Sequence, residues 1–235
     1  MKTAFKLFFL TCLLISSVCD TQAQSLKKRF TSDFHVGLNF AEMDISKGGN
    51  NDFNKPKIGM HIGMNFNYKI LHNIQIQSGF FVTKKGLKQK IHNEVVSAVN
   101  DITINDTINH IVGNYMQVPL CLGYEVYFSD KFGINLNVGG YAAFGYKGTY
   151  ENKYYTEYIY ADNTIIRNPL ETESGETFDL NKWKRWDYGL VGSIGIIYDI
   201  FMLNFNYEYG LHDLSSINTI SLKNRMMSVS LGFRF

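Results

Sequence analysis

The chain has 235 residues and a formal charge of +2. That length suits one domain, since a β-barrel commonly fills such a span as a single unit, and near charge balance argues against a nucleic-acid footprint, which needs a strongly basic face. With 3 prolines against 15 tyrosines and 18 phenylalanines, the composition opposes disorder and favours strands, whose pleated surfaces accept flat rings.

The first segment reads as a secretory leader. Lys2 and Lys6 supply a positive region, residues 7–18 an apolar run, and Thr21-Gln22-Ala23 a small-residue cleavage site. The apolar run is too short to cross a bilayer as a helix. The expected division is a cleaved signal peptide over residues 1–23 and a mature domain over 24–235. Cys12 and Cys19 fall in the leader, leaving Cys121 alone in the mature chain, so no internal disulfide forms. A lipid anchor on Cys19 would call for a small preceding residue, and Val18 stands there.

Eight segments of period-two alternation follow. In the first, Phe34, Val36, Leu38 and Phe40 alternate with His35, Gly37, Asn39 and Ala41. The second is the clearest: Ile58, Met60, Ile62, Met64, Phe66 and Tyr68 against Gly59, His61, Gly63, Asn65 and Asn67. Ile74, Ile76, Phe80 and Val82 mark the third, and Met116, Val118, Leu120, Leu122, Tyr124 and Val126 the fourth. Phe132, Ile134, Leu136 and Val138 mark the fifth, and Trp186, Tyr188, Leu190, Ile194 and Ile196 the sixth. Leu203, Phe205, Tyr207 and Tyr209 make the seventh; Met227, Val229, Leu231, Phe233 and Phe235 make the last.

Tight turns at 71–73, 129–131 and 199–201 alternate with long polar connections at 44–56, 88–113, 148–184 and 212–222. An even strand number with short and long connections in alternation is the pattern of an outer-membrane barrel, with short periplasmic turns and long extracellular loops. A soluble barrel alternates too, but turns a charged face to water. Here the polar face is Gly, Asn, Gln and Ser, and rings such as Phe66, Tyr68, Tyr124, Phe128, Phe132, Tyr198 and Phe201 gather near the turns as a membrane girdle would. The expected fold is all-β: an eight-stranded antiparallel up-and-down transmembrane β-barrel.

Several short motifs, in order and spacing, resemble the PorT-like outer-membrane β-barrel family of Gram-negative bacteria. They are Gly37-Leu38-Asn39-Phe40, Lys85-Gly86, Tyr115-Met116-Gln117-Val118-Pro119-Leu120, Asp187-Tyr188-Gly189-Leu190 and the terminal Leu231-Gly232-Phe233-Arg234-Phe235. The resemblance implies an outer-membrane location and an association with secretion or envelope proteins. It also implies that Phe235 is the terminal aromatic recognised by the barrel-insertion machinery.

The sequence carries little overt chemistry. Its six histidines show no metal-site spacing, and His35 with His61 is expected to form a structural, hydrogen-bonded pair in the lumen. Ser193, in Gly192-Ser193-Ile194-Gly195, is not a nucleophile elbow, and no nucleophile–base–orienter set is evident. No cofactor is implied. The expectation is a non-enzymatic barrel in contact with outer-membrane lipid, with a barrel-embedded lipid-modifying enzyme or a small porin as alternatives.

Two residue sets stand out. Glu125, Asp187, Glu208, Arg185, Arg234, His61 and Lys69 fall on the lumen face, where charges must pair; neutralising Glu208 is expected to strand a cation. Tyr150, Tyr154, Tyr155, Tyr158, Tyr160 and Trp183 fall in the longest connection and form a candidate extracellular binding loop, tyrosine giving large contact area at low entropic cost. Asn105-Asp106 is expected at the tip of another hairpin.

Overall fold

The computed structural model describes residues 29–46, 54–96, 102–160, 164–168, 171–178, 183–216 and 221–235. The leader lies outside them. Eleven strands appear among these residues: β1 (Phe30–Ser46), β2 (Asn54–Lys55), β3 (Lys57–Lys69), β4 (Ile74–Val96), β5 (Ile102–Tyr127), β6 (Phe132–Ile159), β7 (Ile165–Arg167), β8 (Glu171–Glu176), β9 (Trp186–Tyr198), β10 (Phe201–Gly210) and β11 (Ser221–Arg234).

Eight of them close a ring. Each pairs antiparallel with its neighbours in the order β1, β3, β4, β5, β6, β9, β10, β11, and β11 returns to β1 with Asp33 opposite Arg234. Closure removes the sheet edge, so every ladder hydrogen bond has a partner without water. Among the described residues no helix is long and apolar enough to cross a membrane.

The alternation now has a cause. Leu120, Leu122 and Tyr124 point outward with 63, 56 and 48% of their surface exposed, while Gln117, Cys121 and Glu125 between them are buried in the lumen. A soluble protein would not leave such a belt of large apolar side chains uncovered. All eight strand centres expected from the sequence are present.

One end of the ring carries the short turns. At the β9–β10 turn Asp199 has a φ of 57°, a left-handed conformation that Asp tolerates in tight hairpins. The other end differs from expectation. The connections expected as polar loops at 88–113 and 148–184 are largely strand: β4, β5 and β6 run on past the ring and add β7 and β8, making a projecting antiparallel sheet. Asn105 and Asp106 are not a hairpin tip; they lie within β5, opposite Asn93 and His92 of β4. A bulge at Asn114/Tyr115 shifts the register where barrel gives way to projection.

Candidate functional site

The lumen is built in layers from inward positions of all eight ring strands. At the short-turn mouth, the Arg234 guanidinium donates to Asp33 (2.7 and 3.2 Å), Glu125 (2.7 Å) and the Tyr127 hydroxyl (2.9 Å). Lys69 pairs with the second Glu125 oxygen at 2.9 Å. Asn67 donates to Asp33 and accepts from Gln77, which carries the network inward.

Next comes a polar cavity of about 40 Å³ lined by residues including His35, His61, Cys121, Asn137, Ser193 and Glu208. At roughly 10–15 Å³ per water, it has room for about three. The amides of Asn65 and Asn204 reach the two ring nitrogens of His35 at 3.2 and 3.1 Å. A neutral imidazole accepts at only one nitrogen, so one amide must present its oxygen instead. His61 stacks on Phe81 with centroids 4.5 Å apart. The two histidines therefore share a cavity but are not bonded to each other as expected.

The third layer is a charge knot around Lys85, which has no exposed surface. Its ammonium contacts Glu208 at 2.8 Å and Asp187 at 3.1 Å and lies 4.4 Å from the Tyr141 ring centroid. One cation thus serves two carboxylates. Gln117 donates to Glu208 (2.6 Å), while Asn224 (2.8 Å) and the Tyr141 hydroxyl (3.2 Å) donate to Asp187. These donors spread the excess negative charge, which would otherwise be costly at full burial.

Above the knot the lumen turns apolar. Met43, Ile45, Leu87, Tyr115, Tyr141, Ala143, Phe178, Trp183 and Leu214 form one buried cluster. The Phe178 ring meets Tyr115 edge-on at 5.5 Å and sits so close to Gly145 that an added Cβ would lie 2.2 Å from it. Glycine is required there because the ring occupies that space. Charge below and hydrocarbon above together fill the bore, as the width of an eight-stranded barrel leads one to expect.

The sequence-predicted charges divide accordingly. Glu125, Arg234 and Lys69 meet at the mouth, and Asp187 and Glu208 meet at the knot. Arg185 is a correction: it is exposed above the lumen, donating to the Gly145 carbonyl at 3.1 Å and lying over Phe178. Two partners were missed. Asp33 and Lys85 continue the inward parity of β1 and β4, one just before and one just beyond the alternation as read.

The expected binding loop also divides. Trp183 is a correction, for it is buried in the apolar cluster and bridges to Ser215. Tyr150 and Tyr154 lie on β6 and both donate to Glu173 of β8, at 3.0 and 3.3 Å. Tyr155 and Tyr158 lie exposed on the same strand, with Tyr160 just past its end. Tyr155 helps line an open groove of about 370 Å³ with Ile104, Ile108, Lys90, Asp106 and Arg167. Ser193 accepts a hydrogen bond from Asn137 at 3.1 Å, and His212 stacks on Tyr188 at 4.6 Å.

Residues 22–216 match the model of the outer membrane protein beta-barrel domain. The chain belongs to that family. The short turns are then periplasmic, and the projecting sheet is extracellular. The chain is also distantly similar to several solved structures. Ail, the attachment invasion locus protein of Yersinia pestis, is 14% identical with a TM-score of 0.36, over 88% of this chain and 99% of that one. Neisserial surface protein A is 11% identical with a TM-score of 0.29, over 86% and 95%. The translocator domain of the autotransporter NalP from Neisseria meningitidis is 9% identical with a TM-score of 0.26, over 99% and 96%. No curated protein matches in sequence.

Proposed function

We propose that this outer-membrane barrel is non-conducting and non-enzymatic, and that it acts by presenting the β4–β8 sheet to a ligand or partner protein outside the cell. The observation that carries this reading is the contrast between a filled bore and an elaborated outer end. Three ring strands are extended well beyond what a membrane crossing uses, and the extension bears exposed tyrosines and a groove. Binding sites are commonly carried in this way on rigid scaffolds. Association with secretion or envelope proteins, and membership of the PorT-like branch, belong to the same proposal.

The enzymatic alternative draws no support from Ser193, whose hydroxyl faces the lumen cavity rather than lipid and is engaged by Asn137. The porin alternative draws none from a bore closed by Lys85 and Phe178. A photo-crosslinking residue placed at Tyr155 in intact cells tests the reading. Adducts are expected there and not at lipid-facing Leu120. A steady conductance in planar bilayers, or acyl-chain release from added lipid, would replace this reading with one of the other two.

A further inference from the structure

We propose that the outward face of β4, β5 and β6, just above the apolar belt, binds the phosphate groups of an outer-leaflet lipid through Lys84, Lys88 and Lys147. The ladder places these residues together. The last apolar row runs Val82, Met116, Phe144 and Trp186 across four neighbouring strands, with Phe144 and Trp186 in edge-on contact at 5.1 Å. The next row outward is Lys84, Asn114, Lys147, and two rows on Lys88 stands opposite His110. All three lysines are exposed.

Their height matches a headgroup layer. From Phe132 in the periplasmic girdle to Phe144, β6 advances twelve residues, or about 40 Å along the strand. A tilt of about 35–45° turns that into a vertical rise of roughly 30 Å, one hydrocarbon thickness. Cations directly above that level meet lipid phosphates, not acyl chains and not bulk water.

Charge at the rim is sorted by sector. Across the barrel, Arg225 and Lys223 of β11 stand opposite Glu42 and Asp44 of β1, and Arg225 bonds Asp44 at 3.1 Å. Arg225 is thereby neutralised within the protein, and Lys223 has Asp44 as its ladder neighbour. The carboxylates next to these lysines along the ladder have other cations: Glu151 pairs with Lys153 at 3.2 Å and Asp106 with Lys90 at 2.9 Å. Among the described residues, Lys84, Lys88 and Lys147 meet no carboxylate. His110 in their midst has its basicity lowered by burial first and then by the charges of Lys57 and Lys88, with Glu151 opposite it on β6 acting against them. A phosphate-bearing headgroup, whose acyl chains lie against Val82, Met116 and Phe144, supplies the missing anions.

The test uses the full mature chain in detergent with lipid A as probe, binding being read by native mass spectrometry. Wild type should retain lipid A, and the Lys84→Gln/Lys88→Gln/Lys147→Gln variant should bind it weakly, by about fivefold per lysine. The matching triple arginine variant should bind as wild type does, and Lys223→Gln should change nothing. Heat-modified electrophoretic mobility checks that each variant is folded. Equal retention by the glutamine variant, or equal retention of dephosphorylated lipid A, would overturn the proposal. So would saturation by inorganic phosphate at concentrations that displace no lipid, since the site would then serve a soluble anion.

Discussion

Strand β5 passes through two environments. Between Tyr124 and Met116 its even-numbered residues are all large and apolar and its odd-numbered residues are small or polar. Between Val112 and Ile102 the same strand keeps its ladder to both neighbours, yet Asp106 and His110 share an outward face with Ile104 and Ile108. In the first stretch the two faces see lipid and a crowded lumen, so a residue of the wrong kind is expensive. In the second, both faces reach water and neither kind is excluded. Backbone pairing builds the strand in both, but along β5 alternation is kept only where its two faces meet lipid and lumen.

That contrast can be broken first at the lumen. Lys85→Met leaves Asp187 and Glu208 buried without their cation, and removing one partner from a buried set costs about 3–5 kcal/mol. A urea titration of the folded barrel should show this loss. Glu208→Gln should cost less, because Lys85 keeps Asp187; the sequence-level expectation that this change strands a cation missed the second carboxylate. Lys90→Met, which breaks an exposed pair on the projection, should stay within about 1 kcal/mol. Equal costs for Lys85→Met and Lys90→Met would mean that the lumen is wetter than its packing implies.

The second comparison holds strand and face constant. Leu120→Arg, near the middle of the apolar belt, should destabilise by about 2–4 kcal/mol in a folding titration in lipid. Ile108→Arg, twelve residues back on the outward side of β5, should fall within about 0.5 kcal/mol, as surface changes do. Similar values at both positions would place the membrane boundary elsewhere and remove the lipid-facing role of the lysine row between them.

Legibility followed the same boundary. The eight ring strands were readable because each centre alternates, and the short turns because two to four residues cannot hold anything else. Alternation marks the third strand only through Val82, and the resemblance adds Lys85-Gly86 without a lumen role, yet β4 continues to Val96. The role missed just beyond was that of Lys85, the hub of the knot. Its signal was parity: Gln77, Phe81, Thr83 and Lys85 all fall inward. Asp33 was missed in the same way at the start of β1. Along 149–159 of β6 both faces carry polar residues, Glu and Lys on one, Asn on the other and Tyr and Thr on each, so the stretch has no apolar face to mark it as a strand. Trp183 and Phe178 had no period to betray them. Their burial depends on non-local packing against Leu87 and Leu214, which a linear pattern does not carry.

The smallest effect expected is acid fraying of the projection ahead of the barrel. Burial alone would push the Asp106 carboxyl up, but hydrogen bonds and charge from Lys90 and His92 outweigh it and hold the group below its ordinary 3.8. A carboxyl whose folded pKa lies below its unfolded one stabilises the fold at pH above about 4. That contribution fades as pH falls from there through the depressed value, because the protonated acid no longer attracts the two cations. Both partners are partly exposed, at 51 and 42% of their side-chain surface, so solvent screens the pair to a few tenths of a kcal/mol. Methyl resonances of Ile104 and Ile108, which flank Asp106 on the outward face, should therefore shift between pH 5 and 3 while those of Ile194 in the belt stay fixed. In Asp106→Asn the shift should vanish. Its persistence there would assign the acid response to a different carboxylate, with Glu94 and Glu157 as the next groups along the same face.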